Sequence, residues 1–103
     1  MNALPFRLVN DFFVALGQRW VELAAKRGAR IAPPDLDPSV AEEILQLARV
    51  VAHSKERSFA PLASFTAGVA AERLRAAKGS SVSDTAAYIR EVREALESEA
   101  GPG

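Results

Sequence analysis

Residues 44–68 read ILQLARVVAHSKERSFAPLASFTAG. Ile44, Leu47 and Val51 recur at spacings of three and four, with Leu45, Ala48 and Ala52 in an adjacent row. Two such rows make one broad apolar helix face. The pattern breaks at SKERS and resumes after Pro61 with Leu62, Phe65 and Val69. The stretch therefore reads as helix, polar turn, helix. A turn this short makes the two helices antiparallel neighbours.

The first of them extends back to Pro38, giving a helix over 38–54. Asp37 is placed to cap it with Pro38 in the first position, and Ser39 with Glu42 offers a rival cap. Its apolar residues cover about half the circumference, which makes it the central helix. The second spans 61–78, anchored by Leu62, Phe65, Val69 and Leu74 and stopped by Gly79. Ala63, Ala67, Gly68, Ala70 and Ala71 make it thin, and Gly68 reads as a position of close interhelical contact.

Upstream, Val9, Phe13, Leu16, Trp20 and Leu23 mark a helix over 6–26, with Pro5 in its first turn and Gly28 as its left-handed stop. Gly17 inside it either admits a close neighbour or kinks the helix. Residues 28–37, with Pro33-Pro34, form a stiff linker. Downstream, Ala86, Ile89, Val92 and Leu96 define a helix over 82–97, capped by Ser81 with Asp84 or by Ser83. Arg90, Glu91, Arg93, Glu94 and Glu97 read as its solvated face. No strand pattern is present. The expected fold is all-α, a single-domain bundle of about four mostly antiparallel helices over 1–98, with a disordered tail at 99–103. The bulky stripe members, Phe13, Leu16, Trp20, Ile44, Leu47, Val51, Phe65, Val69, Ile89 and Val92, are the expected core.

Composition narrows the function. Thirteen basic and thirteen acidic residues cancel in 103, so no net field draws the chain to nucleic acid or to an anionic membrane. With no cysteine there is no disulfide, no thiolate nucleophile and no cysteine zinc site, and a cytoplasmic location fits. No apolar run approaches the ~20 residues of a membrane span. The N-terminal residues do not read as a signal peptide. Glycine-rich phosphate loops and dinucleotide fingerprints are missing. No catalytic residue, metal or cofactor is expected, and an enzyme is the least favoured class.

The polar chemistry concentrates at 49–59. Arg49 and His53, the single histidine, are four residues apart on one helix face, and Arg57 follows in the turn. Phe59 lies in the loop beside them. A helix starting at Pro61 would present free N–H groups toward the same place, a setting for a phosphate or carboxylate. The plainer alternative is a polar helix end in which His53 bonds a last-turn carbonyl and Glu56 offsets part of the charge.

Over residues 47–70 the sequence follows LARVVAHxxxRxxAPLxxFxxGxA. This pattern resembles a bacterial family of small uncharacterised helical domains found fused to, or near, molybdenum-cofactor guanylyltransferases. His53, Arg57, Ala60, Pro61, Leu62, Phe65 and Gly68 carry the likeness, which is best over 38–97. The resemblance implies a context rather than a mechanism. The expected function is a non-enzymatic accessory or protein-interaction domain, linked to molybdenum-cofactor maturation or a molybdoenzyme. Arg49, His53, Arg57 and Phe59 would form its partner surface. The alternative is a domain holding a phosphorylated or anionic small molecule at the 53–61 turn. The partner's identity and the oligomeric state do not follow from sequence.

Overall fold

The computed structural model describes the backbone of residues 6–100 and the side chains from Asp11 to Glu99. Pro5 and residues 101–103 of the expected tail lie outside the described residues, as does the side chain of Val9. Four helices follow in order: α1 (Phe6–Lys26), α2 (Pro38–Ser54), α3 (Phe59–Lys78) and α4 (Val82–Ala100). No strand occurs among the described residues, so the all-α reading holds. Glu99 and Ala100 belong to α4 rather than to a disordered tail. The chain divides into two compact units, Met1–Leu36 and Asp37–Gly103.

In the first unit, α1 ends in two nested hydrogen bonds. Gly28 N–H donates to Ala25 O and Ala29 N–H to Ala24 O, both at 2.9 Å, with Gly28 at φ 82°. This is the Schellman closure, and its left-handed residue favours glycine. The linker then lies against α1 at Gly17. A Cβ there would stand 3.3 Å from the Pro34 carbonyl oxygen and 3.7 Å from Pro33 Cβ. Gly17 therefore serves close approach, the first of the two roles open to it. Phe13 and Trp20, expected in the core, are exposed instead, Trp20 by 53%. Phe12 and Phe13 meet edge to face, with centroids 5.0 Å apart.

The second unit holds α2, α3 and α4, and α2 packs against both of the others. Asp37 caps α2 by accepting from Ser39 N–H at 2.8 Å and Ser39 Oγ at 2.6 Å, with Pro38 in the first turn. Those hydrogen bonds, the Ser39 hydroxyl first, hold the Asp37 carboxyl below the usual range. Gly79, at φ 64° and ψ 56°, closes α3 with its N–H on Arg75 O at 2.7 Å. The Ser81–Asp84 capping box opens α4. Ser81 N–H donates to Asp84 Oδ2 at 3.0 Å, and Asp84 N–H to Ser81 Oγ at 3.1 Å. Asp84 is likewise held low, mainly by the Ser81 N–H.

The core of this unit is Leu47, Val51, Ala67 and Ile89, with Ile89 the most buried at 3% exposure. Val40, Ile44, Ala63 and Leu96 pack around it, and Ala86 is also buried. Three expectations for α3 and α4 are corrected. Phe65 is 72% exposed and Val92 is exposed too, so neither belongs to the core. A Cβ on Gly68 meets nothing within 4 Å, so the close contact of α3 is made by its neighbour Ala67. The reason is geometric. α3 approaches α2 on the face where its side chains are smallest, which turns Phe65 outward.

The charged face of α4 is more than solvated. Glu43 of α2 accepts from Arg90 Nη1 and from Arg93 Nη2, each at 3.4 Å, and Arg93 Nη1 also donates to Glu97 at 3.2 Å. Glu43 and Arg93 are mostly covered. Burial opposes the Arg93 charge, but Glu97 and Glu43 outweigh it and keep its pKa above the ordinary value. This cluster ties α2 to α4.

Candidate functional site

The turn between α2 and α3 is built by two local closures. α2 ends where Lys55 N–H reaches Val51 O at 2.9 Å and Ser54 Oγ bonds Val50 O at 2.8 Å. After the four residues 55–58, α3 begins, at Phe59 rather than Pro61. Proline is tolerated in the third position because the first four N–H groups of a helix have no intrahelical acceptor. The early start changes the chemistry. Phe59 N–H already donates to Glu56 O at 3.0 Å and Ala60 N–H to Arg57 O at 3.2 Å, while Pro61 has none. The free donors that the sequence suggested for an anion are therefore absent at these three positions.

Arg49, His53, Arg57 and Phe59 are all exposed. Arg49 and His53 share a face of α2, and Arg49 Nη1 donates to Gln46 Oε1 at 3.2 Å. Gln46 in turn donates to Glu42 at 3.0 Å. The carbonyls of the last turn of α2 are met by Ser54 and Lys55 rather than by a described bond from His53. Arg57 occupies the turn, and Phe59, 43% exposed, opens α3. The result is one exposed aromatic ring in the same short stretch as the exposed side chains of Arg49, His53 and Arg57.

Sequence reasoning missed a second feature. α3 and α4 both lean on α2 but make little contact with each other, leaving an apolar groove of about 220 Å³ between them. Leu47, Val51 and Ile89 form its floor. Ala67 and Ala70 form one wall, and Val92 and Leu96 the other. Its far end opens onto a shallower apolar surface bordered by Phe65, Val69, Leu74 and Tyr88, with Arg73 beside them. Exposed Leu62 and Phe65 lie along α3 next to it. The available signal was the pairing of a small-residue face with a bulky one on α3. Together these imply a narrow contact with α2 and apolar bulk left over.

Among the described residues no cluster of three or more metal-ligating side chains occurs, and no helix is long and apolar enough to cross a membrane. The chain belongs to a family described as a domain of unknown function, DUF6457, whose model matches residues 14–102. No curated protein and no solved structure matches it.

Proposed function

We propose that this chain is a non-enzymatic protein-interaction domain acting in the cytoplasm as an accessory to a larger machinery. The observation that carries the reading is the α3–α4 face, an apolar groove flanked by a phenylalanine that is 72% exposed. Contiguous exposed apolar surface of this kind marks protein contact. The cationic junction of Arg49, His53, Arg57 and Phe59 supplies a second, polar contact region at the α2–α3 turn. Arginine and aromatic side chains of this sort anchor interfaces. The resemblance to domains fused to, or found near, molybdenum-cofactor guanylyltransferases supplies the setting: cofactor maturation or delivery to a molybdoenzyme.

The alternative, an anionic small molecule at the turn, loses support because the Phe59 and Ala60 N–H groups are already bonded. The test is affinity capture from the native cell using the parent chain, Phe65→Glu and the double variant His53→Gln with Arg57→Gln. The reading expects a molybdenum-cofactor guanylyltransferase or a molybdoenzyme among the captured proteins, and its loss from at least one variant that keeps the parent's helical spectrum. Capture that neither variant changes would refute it.

A further inference from the structure

α1 carries an apolar stripe with the charges sorted around it. Phe13, Leu16, Trp20 and Leu23 recur at spacings of three and four and so share one face of the helix. Phe13, Trp20 and Leu23 are exposed along that face, and Phe12 is exposed beside it. Near the end of α1, Trp20, Leu23 and Ala24 line a shallow apolar hollow with Ile31 of the linker, and Lys26 and Arg27 line it as well. Arg19 precedes Lys26 by seven residues, two helical turns, and lies in the same row. Asp11 and Glu22, nine residues before Trp20 and two after it, fall on the opposite side of the helix. All five of these charged side chains are exposed, and none takes part in an ion pair among the described residues.

The zero net charge of the chain conceals a local excess at this place. From Arg19 to Ile31 there are four basic residues, Arg19, Lys26, Arg27 and Arg30, against the single acid Glu22, which leaves nine basic against twelve acidic elsewhere. Cations in the last turn of a helix answer its dipole, but that effect fades within the turn, and Arg19 stands two turns before Lys26. Tryptophan and phenylalanine on the apolar stripe, cations along its flank and acids on the far side are the composition of a helix that lies in the plane of a lipid surface. The rings enter the boundary between headgroups and acyl chains, and the Lys and Arg side chains meet the lipid phosphates. We propose that α1 binds an anionic lipid surface along this face. It lies on the bilayer, since no helix here is long and apolar enough to cross one. The face belongs to the first compact unit, and the inference stands apart from the protein contact read on the second.

Trp20 is the single tryptophan of the chain, so its emission reports on this face without a label. The test titrates the dilute full chain with vesicles of phosphatidylcholine and phosphatidylglycerol in equal parts, and with vesicles of phosphatidylcholine alone. The mixed vesicles should shift the emission to the blue and shield it from acrylamide, the neutral ones far less, and added salt should weaken the binding. Leu23→Glu should abolish the shift with an unchanged far-ultraviolet spectrum, because the side chain is already exposed. Lys26→Gln with Arg27→Gln should weaken binding about 30-fold. Arg75→Gln with Lys78→Gln removes the same charge from the last turn of α3 and should leave binding within about twofold of the parent. Emission that no vesicle changes, or binding that survives Leu23→Glu, overturns the proposal. Equal binding to both kinds of vesicle overturns the anionic preference, and equal losses in the two double variants overturn the placement on α1. A blue shift that grows with protein concentration alone, without vesicles, shows a second copy on this face and overturns the lipid.

Discussion

Replacing Gly68 by alanine should stabilise the protein. Gly68 lies near the middle of the 20-residue α3, where glycine costs about 1 kcal/mol against alanine because the unfolded chain has more backbone freedom to lose. The native backbone gives no reason to keep it. Its φ is not positive, the site is exposed, and an added Cβ meets no atom within 4 Å. The propensity gain therefore survives nearly whole, at about 0.5–1 kcal/mol. For a domain of this size that corresponds to a rise in melting temperature of about 2–8 °C. The neighbouring position supplies the opposite sign. Ala67 is buried against the core, so Ala67→Gly loses both propensity and one buried methyl, about 1–2 kcal/mol in all. Urea unfolding followed by circular dichroism on dilute protein reads both values, with a constant m-value as the check on two-state behaviour. A Gly68→Ala variant no more stable than the parent, or less stable, would refute the assignment of this face to solvent.

Ile89 is the most buried side chain described, so Ile89→Ala should cost about 2–5 kcal/mol in the same assay; a loss below about 1 kcal/mol would mean the core lies elsewhere. Gly79 sits at φ 64°, ψ 56°, where a Cβ crowds the following carbonyl, and Gly79→Ala should cost about 1–2 kcal/mol although no atom lies within 4 Å of the new methyl. Asp37 and Asp84 are held below their ordinary value of 3.8 by hydrogen bonds at the starts of α2 and α4. A carboxylate depressed by folding contributes stability above its unfolded pKa and loses it as pH falls through the folded one. The melting temperature should therefore drop between pH 5 and pH 2 more steeply in the parent than in an Asp37→Ala, Asp84→Ala double variant; parallel curves would deny these caps a titrating role.

The parts of this fold that the sequence makes legible are those decided by neighbours along the chain. Asp37 with Pro38, Ser81 with Asp84, Gly28 and Gly79 each act within a few residues, and each boundary they imply is found. The start of α3 is misread for a related reason. Pro61 looks like a first position, but any of the opening positions tolerates its missing N–H, so the residue alone does not fix which one it holds. Faces are harder, because bulk suggests burial only when the neighbour leaves room for bulk. α2 already fills the interior with Leu47 and Val51, so α3 comes close only by presenting Ala63 and Ala67, and Phe65 is carried to the far side. The candidate sites divide along the same line. Arg49, His53, Arg57 and Phe59 sit within eleven consecutive residues and are visible as a cluster in the sequence. The groove takes its floor from Leu47 and Ile89 and one wall from Ala67 and Ala70, residues that the sequence separates by tens of positions. Only the packing of α3 and α4 on α2 joins them, so a surface of this kind follows from the exposed remainder of a helix packed by its smallest side chains.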